Sequence, residues 1–262
     1  MLFTIPPTSF PPAKKIVSLV PSITELLYAL GLDKEMAGIT KFCVHPPAWL
    51  PEKKRIGGTK NLHVEEIISL QPDLVIASRE ENVREQVEAI AVHSPVFLTD
   101  VITISDAFEM IENVGQLTGT HDRAKELAER IKRSFCLIQH STSNIQTFSI
   151  PVIYLIWKDP YMSVGGDTFI SHMMQAAGFL NVLAGRTRYP EISVEEMRES
   201  NAKVIMLSSE PYPFKNSHVK ELCDQLSNMK IIIVDGEMFS WYGSRMLYAA
   251  DYFHALRADL EI

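Results

Sequence analysis

Cysteine is scarce in this chain: Cys43, Cys136 and Cys223 are odd in number and far apart. Such a set builds no disulfide framework and cannot supply a four-cysteine zinc site. No apolar run approaches the ~20 residues that a membrane span needs. Positive charge is short as well. A formal net charge of -7 at pH 7 argues against wide contact with nucleic acid, because phosphate backbones are met by surplus Lys and Arg. There is no G-x-S-x-G nucleophile elbow, no G-x-x-x-x-G-K-[ST] phosphate loop and no glycine-rich dinucleotide fingerprint. The 32 acidic residues single out no acid–base pair. Nothing here calls for catalysis, so no catalytic residue and no cofactor is assigned. The start, "MLFTIPPTSFPPAKK", lacks an early basic residue and the unbroken apolar core of ~7–15 residues of a signal peptide.

What is present is an alternation. At 262 residues, 46% hydrophobic and 22% charged, the chain suffices for one large domain or two modest lobes with their own cores. "KKIVSLV" (Lys14–Val20) reads as a buried strand. "PSITELLYALG" follows as a helix, with Pro21 and Ser22 as start signals, Glu25 placed as in a capping box, and Gly31 as the stop. "HVEEIISL", "ENVREQVEAIA" and "ISDAFEMIENVGQL" read as helices, "PDLVIAS" and "SPVFLT" as strands. After a central helix, "IPVIYLIW", "AKVIMLSS" and "MKIIIVDG" read as strands. "DTFISHMMQAAG", "SVEEMRES" and "SRMLYAADYFHALRADL" read as helices. The order implies parallel β/α architecture.

The central helix, Thr120–Ser141, carries Ala124, Leu127, Ala128, Ile131, Phe135 and Ile138 at helical spacing. At ~1.5 Å per residue it would be a rod of roughly 33 Å. It either joins two lobes or packs on one sheet; periodicity alone leaves both open. The halves also echo each other: Val64–Glu80 aligns with Val194–Glu210, which places Glu80 and Glu210 at equivalent strand ends.

"CVH" sets Cys43 and His45 in a Pro-rich loop, where both could ligate a soft or borderline metal. A closed site needs about four ligands, and His63, His93, His121, His140, His172, His218 and His254 are scattered singly. Plain pocket lining or packing is the preferred reading over a free metal or an axial contact to a chelated one. The glycines of "RIGGTKN" allow either a tight turn or close approach to a ligand, and "VGGDTF" offers Asp167 or Thr168 as a helix cap. Phe42, Trp49, Trp157, Tyr161, Phe239, Trp241 and Tyr242 fall in or beside loops that follow strands. That edge of an open α/β sheet is where ligands bind. Arg245, at a helix start, faces either a carboxylate or amide-rich ligand or a nearby acid.

Taken in order, "KKIVSLVPSITELLYALG", "RIGGTKNLHVEEIISLQPDLVIAS", the long helix and "SRMLYAADYF" give the chain a family likeness from about Lys14 to Leu256. It resembles the cobalamin and ferric-siderophore class of substrate-binding proteins of ABC importers. The resemblance implies an α/β fold of two β/α lobes with central parallel sheets, bridged by one long backbone helix, with a ligand cleft between lobes. The boundaries expected are 1–118 for the N-terminal lobe, 119–142 for the bridging helix and 143–262 for the C-terminal lobe. The implied ligand is a metal chelate, a corrinoid first, with a ferric siderophore or haem as the alternative. Phe42, Cys43, His45, Tyr161, Phe239, Trp241, Tyr242 and Arg245 are the ligand-binding candidates, with no metal held by the chain itself. Ser78 is small where such binders can carry a tryptophan, and the "CVH" loop departs from their pattern. A siderophore would want a cluster of arginines or tyrosines, of which the pocket loops offer few (Arg79, Arg186, Arg188 and Arg245), whereas haem would want Tyr161 or His45 as an axial ligand. Glu80 and Glu210 are the expected docking acids for the importer permease. The protein is expected to be a monomer in the periplasm or cell envelope. A cytoplasmic corrinoid or metal-chelate carrier on the same scaffold is the reading that the plain N-terminus favours.

Overall fold

The computed structural model of the chain describes residues 1–143 and 149–260. Contacts divide it into two compact units. The first comprises Met1–Val101, Ser105–Ile131 and Trp241–Met246. The second comprises Ile102–Ile104, Lys132–Ser240 and Leu247–Ile262.

In chain order the first unit holds β1 (Leu2–Phe3), β2 (Ile16–Ser18), α1 (Pro21–Ala29), β3 (Met36–Ile39), α2 (Trp49–Glu52) and β4 (Lys54–Arg55). Then come α3 (Val64–Ser69), β5 (Leu74–Ser78), α4 (Arg84–Ala91), β6 (Val96–Thr99), α5 (Ile104–Thr118) and the start of α6 (His121–Ser143). Its strands pair in parallel in the order β1-β6-β5-β2-β3-β4. After β2 the chain winds to one side through β3, then returns to the other through β5. The carboxyl ends of β2 and β5 therefore flank a topological switch point. Both strands are buried along their whole length, as a parallel sheet covered by helices requires.

The helix after β2 forms where expected, but not by the expected device. Val20, extended, is the N-cap of α1 and makes no side-chain cap bond, while Pro21 fills the first turn. Glu25 turns instead to Arg245. At the other end Gly31, at φ +78°, closes the helix, and Arg123 of α6 donates to the Leu30 carbonyl at 2.8 Å. α5 and α6 meet closely at Gly115, where an added Cβ would lie 2.4 Å from the Ala124 Cβ. The side chains of Ile138 and His140 lie outside the described residues.

The second unit holds β7 (Ile150–Leu155), α7 (Phe169–Ala176), β8 (Phe179–Asn181), α8 (Val194–Glu199) and β9 (Val204–Ser208). α9 (Asn216–Cys223), β10 (Lys230–Val234), α10 (Glu237–Ser240) and α11 (Met246–Leu260) complete it. Its parallel sheet runs β10-β9-β7-β8, so its switch point lies between β7 and β9. Ile153, Leu155, Met197, Ile205, Leu207 and Leu222 anchor the core. Thr168 caps α7 by accepting from the Ser171 N–H, and Ser193 with Glu196 forms a true capping box on α8.

The echo between the halves is structural. With Val64 set on Val194, α3 and β5 share their bounds with α8 and β9, and the strands are buried alike. Strands β1, β3, β4 and β8 and helices α2, α9 and α10 have no counterpart in the sequence reading.

Candidate ligand site

At the switch point of the first unit, Asn82 gathers three loops. Its side-chain oxygen accepts from the Ser78 N–H at 2.8 Å. Its amide donates to the Leu19 carbonyl at 3.3 Å and the Thr59 carbonyl at 3.1 Å. The Ser78 hydroxyl accepts from the N–H of Glu80 at 3.2 Å. The double glycine is thereby a tight turn: Gly57 sits at φ +93°, and the Gly58 N–H donates to the Asn61 carbonyl at 2.8 Å. The Phe42 ring lies on Gly58, is 50% exposed, and has the Lys41 ammonium 5.0 Å from its centre.

Cys43 follows Phe42 in its loop. It is fully buried, with Sγ 3.1 Å from the Thr24 hydroxyl and 3.2 Å from that of Thr40. Burial pushes its thiol pKa up, which keeps it protonated, whereas a metal ligand is a thiolate. This corrects the expectation of a ligand-facing Cys43: two hydroxyls hold the sulfur inward as part of the packing. His45 stands at the surface of the same loop, half-buried. Its ring meets Trp241 edge to face, centroids 5.5 Å apart.

Trp241, Tyr242 and Arg245 belong to the first unit although they come late in the sequence. The Arg245 guanidinium lies 5.3 Å from the centre of the Trp241 ring. It grips both oxygens of Glu25, with Nε donating to Oε2 at 3.0 Å and Nη2 to Oε1 at 2.7 Å. Of the two partners considered for Arg245, a ligand or an acid, the acid is present, and it is remote in sequence. Tyr242 is buried beside Ser78 and Thr99, and burial pushes its phenol pKa up.

In the second unit, Trp157 follows β7 and is 41% exposed. It meets Tyr212 edge to face at 5.5 Å. Tyr212 in turn packs on Phe214 at 4.7 Å and His218 at 5.6 Å. Half-buried Tyr161 has the Lys158 ammonium 6.0 Å from its ring centre, and Lys158 pairs with Glu221. Phe239 does not join this surface. It is fully buried against Tyr154 at 5.0 Å and Phe253 at 4.7 Å, so its expected ligand contact gives way to a core role. Sequence alone does not mark Tyr212 and Phe214, and shows His218 only as one of the scattered histidines. Their signal was the run "EPYPFKNSH", aromatics on both sides of Pro213 just past a strand end.

Glu80 and Glu210 hold matching, half-buried places after β5 and β9. The Glu80 carbonyl accepts from Lys60 at 2.7 Å, and the Glu210 carboxylate accepts from the Ser240 hydroxyl at 2.8 Å. Three of the four arginines considered for an anionic ligand are already paired: Arg79 with Asp100, Arg186 with Glu196, and Arg245 with Glu25. Among the described residues, no three His, Cys, Asp or Glu side chains gather as a metal centre.

A sequence profile of the family described as "Periplasmic binding protein" matches residues 16–233. The chain belongs to that family. An uncharacterized ABC transporter substrate-binding lipoprotein of Bacillus subtilis (strain 168), YvrC, is 31% identical over 203 residues, 74% of this chain. The match spans 63% of the length of that relative. A vitamin B12-binding protein of Pectobacterium carotovorum subsp. carotovorum (strain PC1) is 22% identical over 239 residues, 90% of this chain and 86% of that one. Among solved structures, the periplasmic vitamin B12 binding protein BtuF of Vibrio cholerae superposes with a TM-score of 0.80 at 20% identity, covering 96% of this chain and 99% of that one. The apo periplasmic heme-binding protein RhuT from Roseiflexus sp. RS-1 gives 0.79 at 24% identity, covering 94% and 98%. These structural likenesses establish the fold. These proteins are named for binding and transport rather than for catalysis, the two solved structures as periplasmic and the Bacillus relative as a lipoprotein. Among the described residues no helix is long and apolar enough to cross a membrane.

Proposed function

We propose that this periplasmic binding protein serves an ABC importer as a monomer, capturing a corrinoid and passing it to the membrane permease. The observation that carries the choice of ligand is the pairing of the arginines. Arg79, Arg186 and Arg245 are each paired with a carboxylate, so of the four arginines Arg188 is left for an anionic ligand, and the rest of the proposed lining is loop aromatics, His45 and a charge-balanced Arg245. A corrinoid, large, nearly neutral and rimmed with amides, suits that lining better than a polyanionic iron chelate. Relatives named as vitamin B12-binding proteins, at 22–24% identity, support the same choice. Phe42, His45, Trp241, Tyr242 and Arg245 of the first unit and Tyr161 of the second are the proposed contacts, while Cys43 and Phe239 are core residues. Glu80 and Glu210 are the proposed docking acids, one at the matching strand end of each unit.

Haem is the second reading, favoured by half-buried Tyr161 and His45, either of which could meet an iron. Passing the purified protein through a desalting column after incubation with cyanocobalamin or haem separates the two. Stoichiometric cobalamin absorbance in the protein fraction is expected; haem carried in its place would reassign the ligand.

A further inference from the structure

We propose that Glu25 is a positioning residue: it clamps the Arg245 guanidinium, and the clamped guanidinium fixes the Trp241 ring at the ligand site. The inference rests on the reading of Trp241 as a ligand contact. All of the groups involved lie in the first unit.

Glu25 sits where a capping box would use it, yet α1 starts without one. Its carboxylate instead takes two hydrogen bonds from Arg245, at 3.0 and 2.7 Å. Two parallel bonds between a fork and a carboxylate fix the guanidinium plane, which a single contact would leave free to rotate. The two side chains are only 12% and 15% exposed, so bulk salt screens the pair little. The held cation lies 5.3 Å from the Trp241 ring centre, within the range of cation–π attraction. His45 meets the same ring by edge-to-face contact at 5.5 Å. The backbone between the two residues is fitted to the same helix. Gly243, at φ +100°, lies so close to α1 that an added Cβ would stand 3.3 Å from the Leu26 Cβ. α1 thus receives the segment twice, its backbone on Leu26 and its guanidinium on Glu25. A plain structural latch would need the ion pair alone; positioning needs the cation, and not the anion, to lie over the indole.

The test uses the full chain labelled with fluorotryptophan, whose three tryptophans give separate fluorine NMR signals, with Trp241→Phe assigning one. In Glu25→Gln the Trp241 signal is expected to shift and broaden while those of Trp49 and Trp157 stay in place. Affinity for cyanocobalamin should fall about tenfold. Exchanging the pair, Glu25→Arg with Arg245→Glu, restores an ion pair but sets the carboxylate over the ring, and should rescue neither readout. Arg245→Lys keeps the charge without the fork and should also move the Trp241 signal, which covers the case of an exchanged pair that does not fold. An unmoved Trp241 signal in Glu25→Gln, or rescue of both readouts by the exchange, would overturn the inference. Should the wild-type protein bind no corrinoid, the functional reading fails and the ligand-free signal alone decides the role of Glu25.

Discussion

Trp241 is the residue on which the ligand assignment leans most, since one ring engages both His45 and Arg245. Trp241→Ala should weaken cyanocobalamin binding by about 1–3 kcal/mol, as loss of a buried aromatic anchor does. Calorimetry would read this, and an unchanged affinity would remove Trp241 from the site. Cys43 makes a different kind of residue-scale claim. A thiol that is fully buried and held protonated should resist alkylation in the native protein, while exposed Cys136 and Cys223 react. Native-state labelling followed by mass spectrometry should find Cys43 unmodified until the chain is unfolded. Glu196 supplies a pH signature. The Ser193 backbone N–H, then Arg186, then the Ser193 hydroxyl hold its carboxyl pKa down to about 2, from an ordinary 4.5. A depressed carboxylate contributes stability above its ordinary pKa and loses it as pH falls through the folded value, so its share fades between about 4.5 and about 2. Carboxyl NMR titration should find that value rising in Arg186→Gln.

Helices and strands with strong periodicity could be read from the chain directly. β2, β5, β7 and β9 are short, mostly apolar segments, and α5 and α6 keep one apolar stripe, so the hydrophobic pattern announces them. Short edge elements such as β1 and β4, two residues each, exist only because a neighbouring strand offers hydrogen bonds, and nothing local marks them. The same limit applied to the site. Phe42, His45 and Trp241 were legible as loop aromatics and a loop histidine. The inward turn of Cys43, the core place of Phe239 and the partnership of Glu25 with Arg245 depend on contacts made by segments distant in sequence. Where α5 crosses α6, two opposing effects can be weighed. Gly115→Ala should gain about 1 kcal/mol in helix propensity. The new methyl would stand 2.4 Å from the Ala124 Cβ, and overpacking costs about 1–3 kcal/mol. A net loss of stability is expected by urea denaturation. A gain would mean that the helices part with little strain.

The whole molecule repeats one device. Each unit carries a parallel sheet with a central switch point, and α3–β5 is matched by α8–β9 with a glutamate just beyond each strand. If Glu80 and Glu210 dock the permease, reversing both charges to lysine should leave ligand affinity intact while uptake by reconstituted transporter vesicles is lost. Normal uptake by the double variant would end that assignment. The central claim is the ligand, and it is tested most directly by tryptophan fluorescence quenching. Cyanocobalamin, aquocobalamin, haem and a ferric hydroxamate would be titrated side by side, with calorimetry for stoichiometry. Saturable quenching by one corrinoid per chain is the predicted result, and a preference for the aquo form would place His45 at the metal. Binding of haem or the iron chelate with no response to either corrinoid would contradict it.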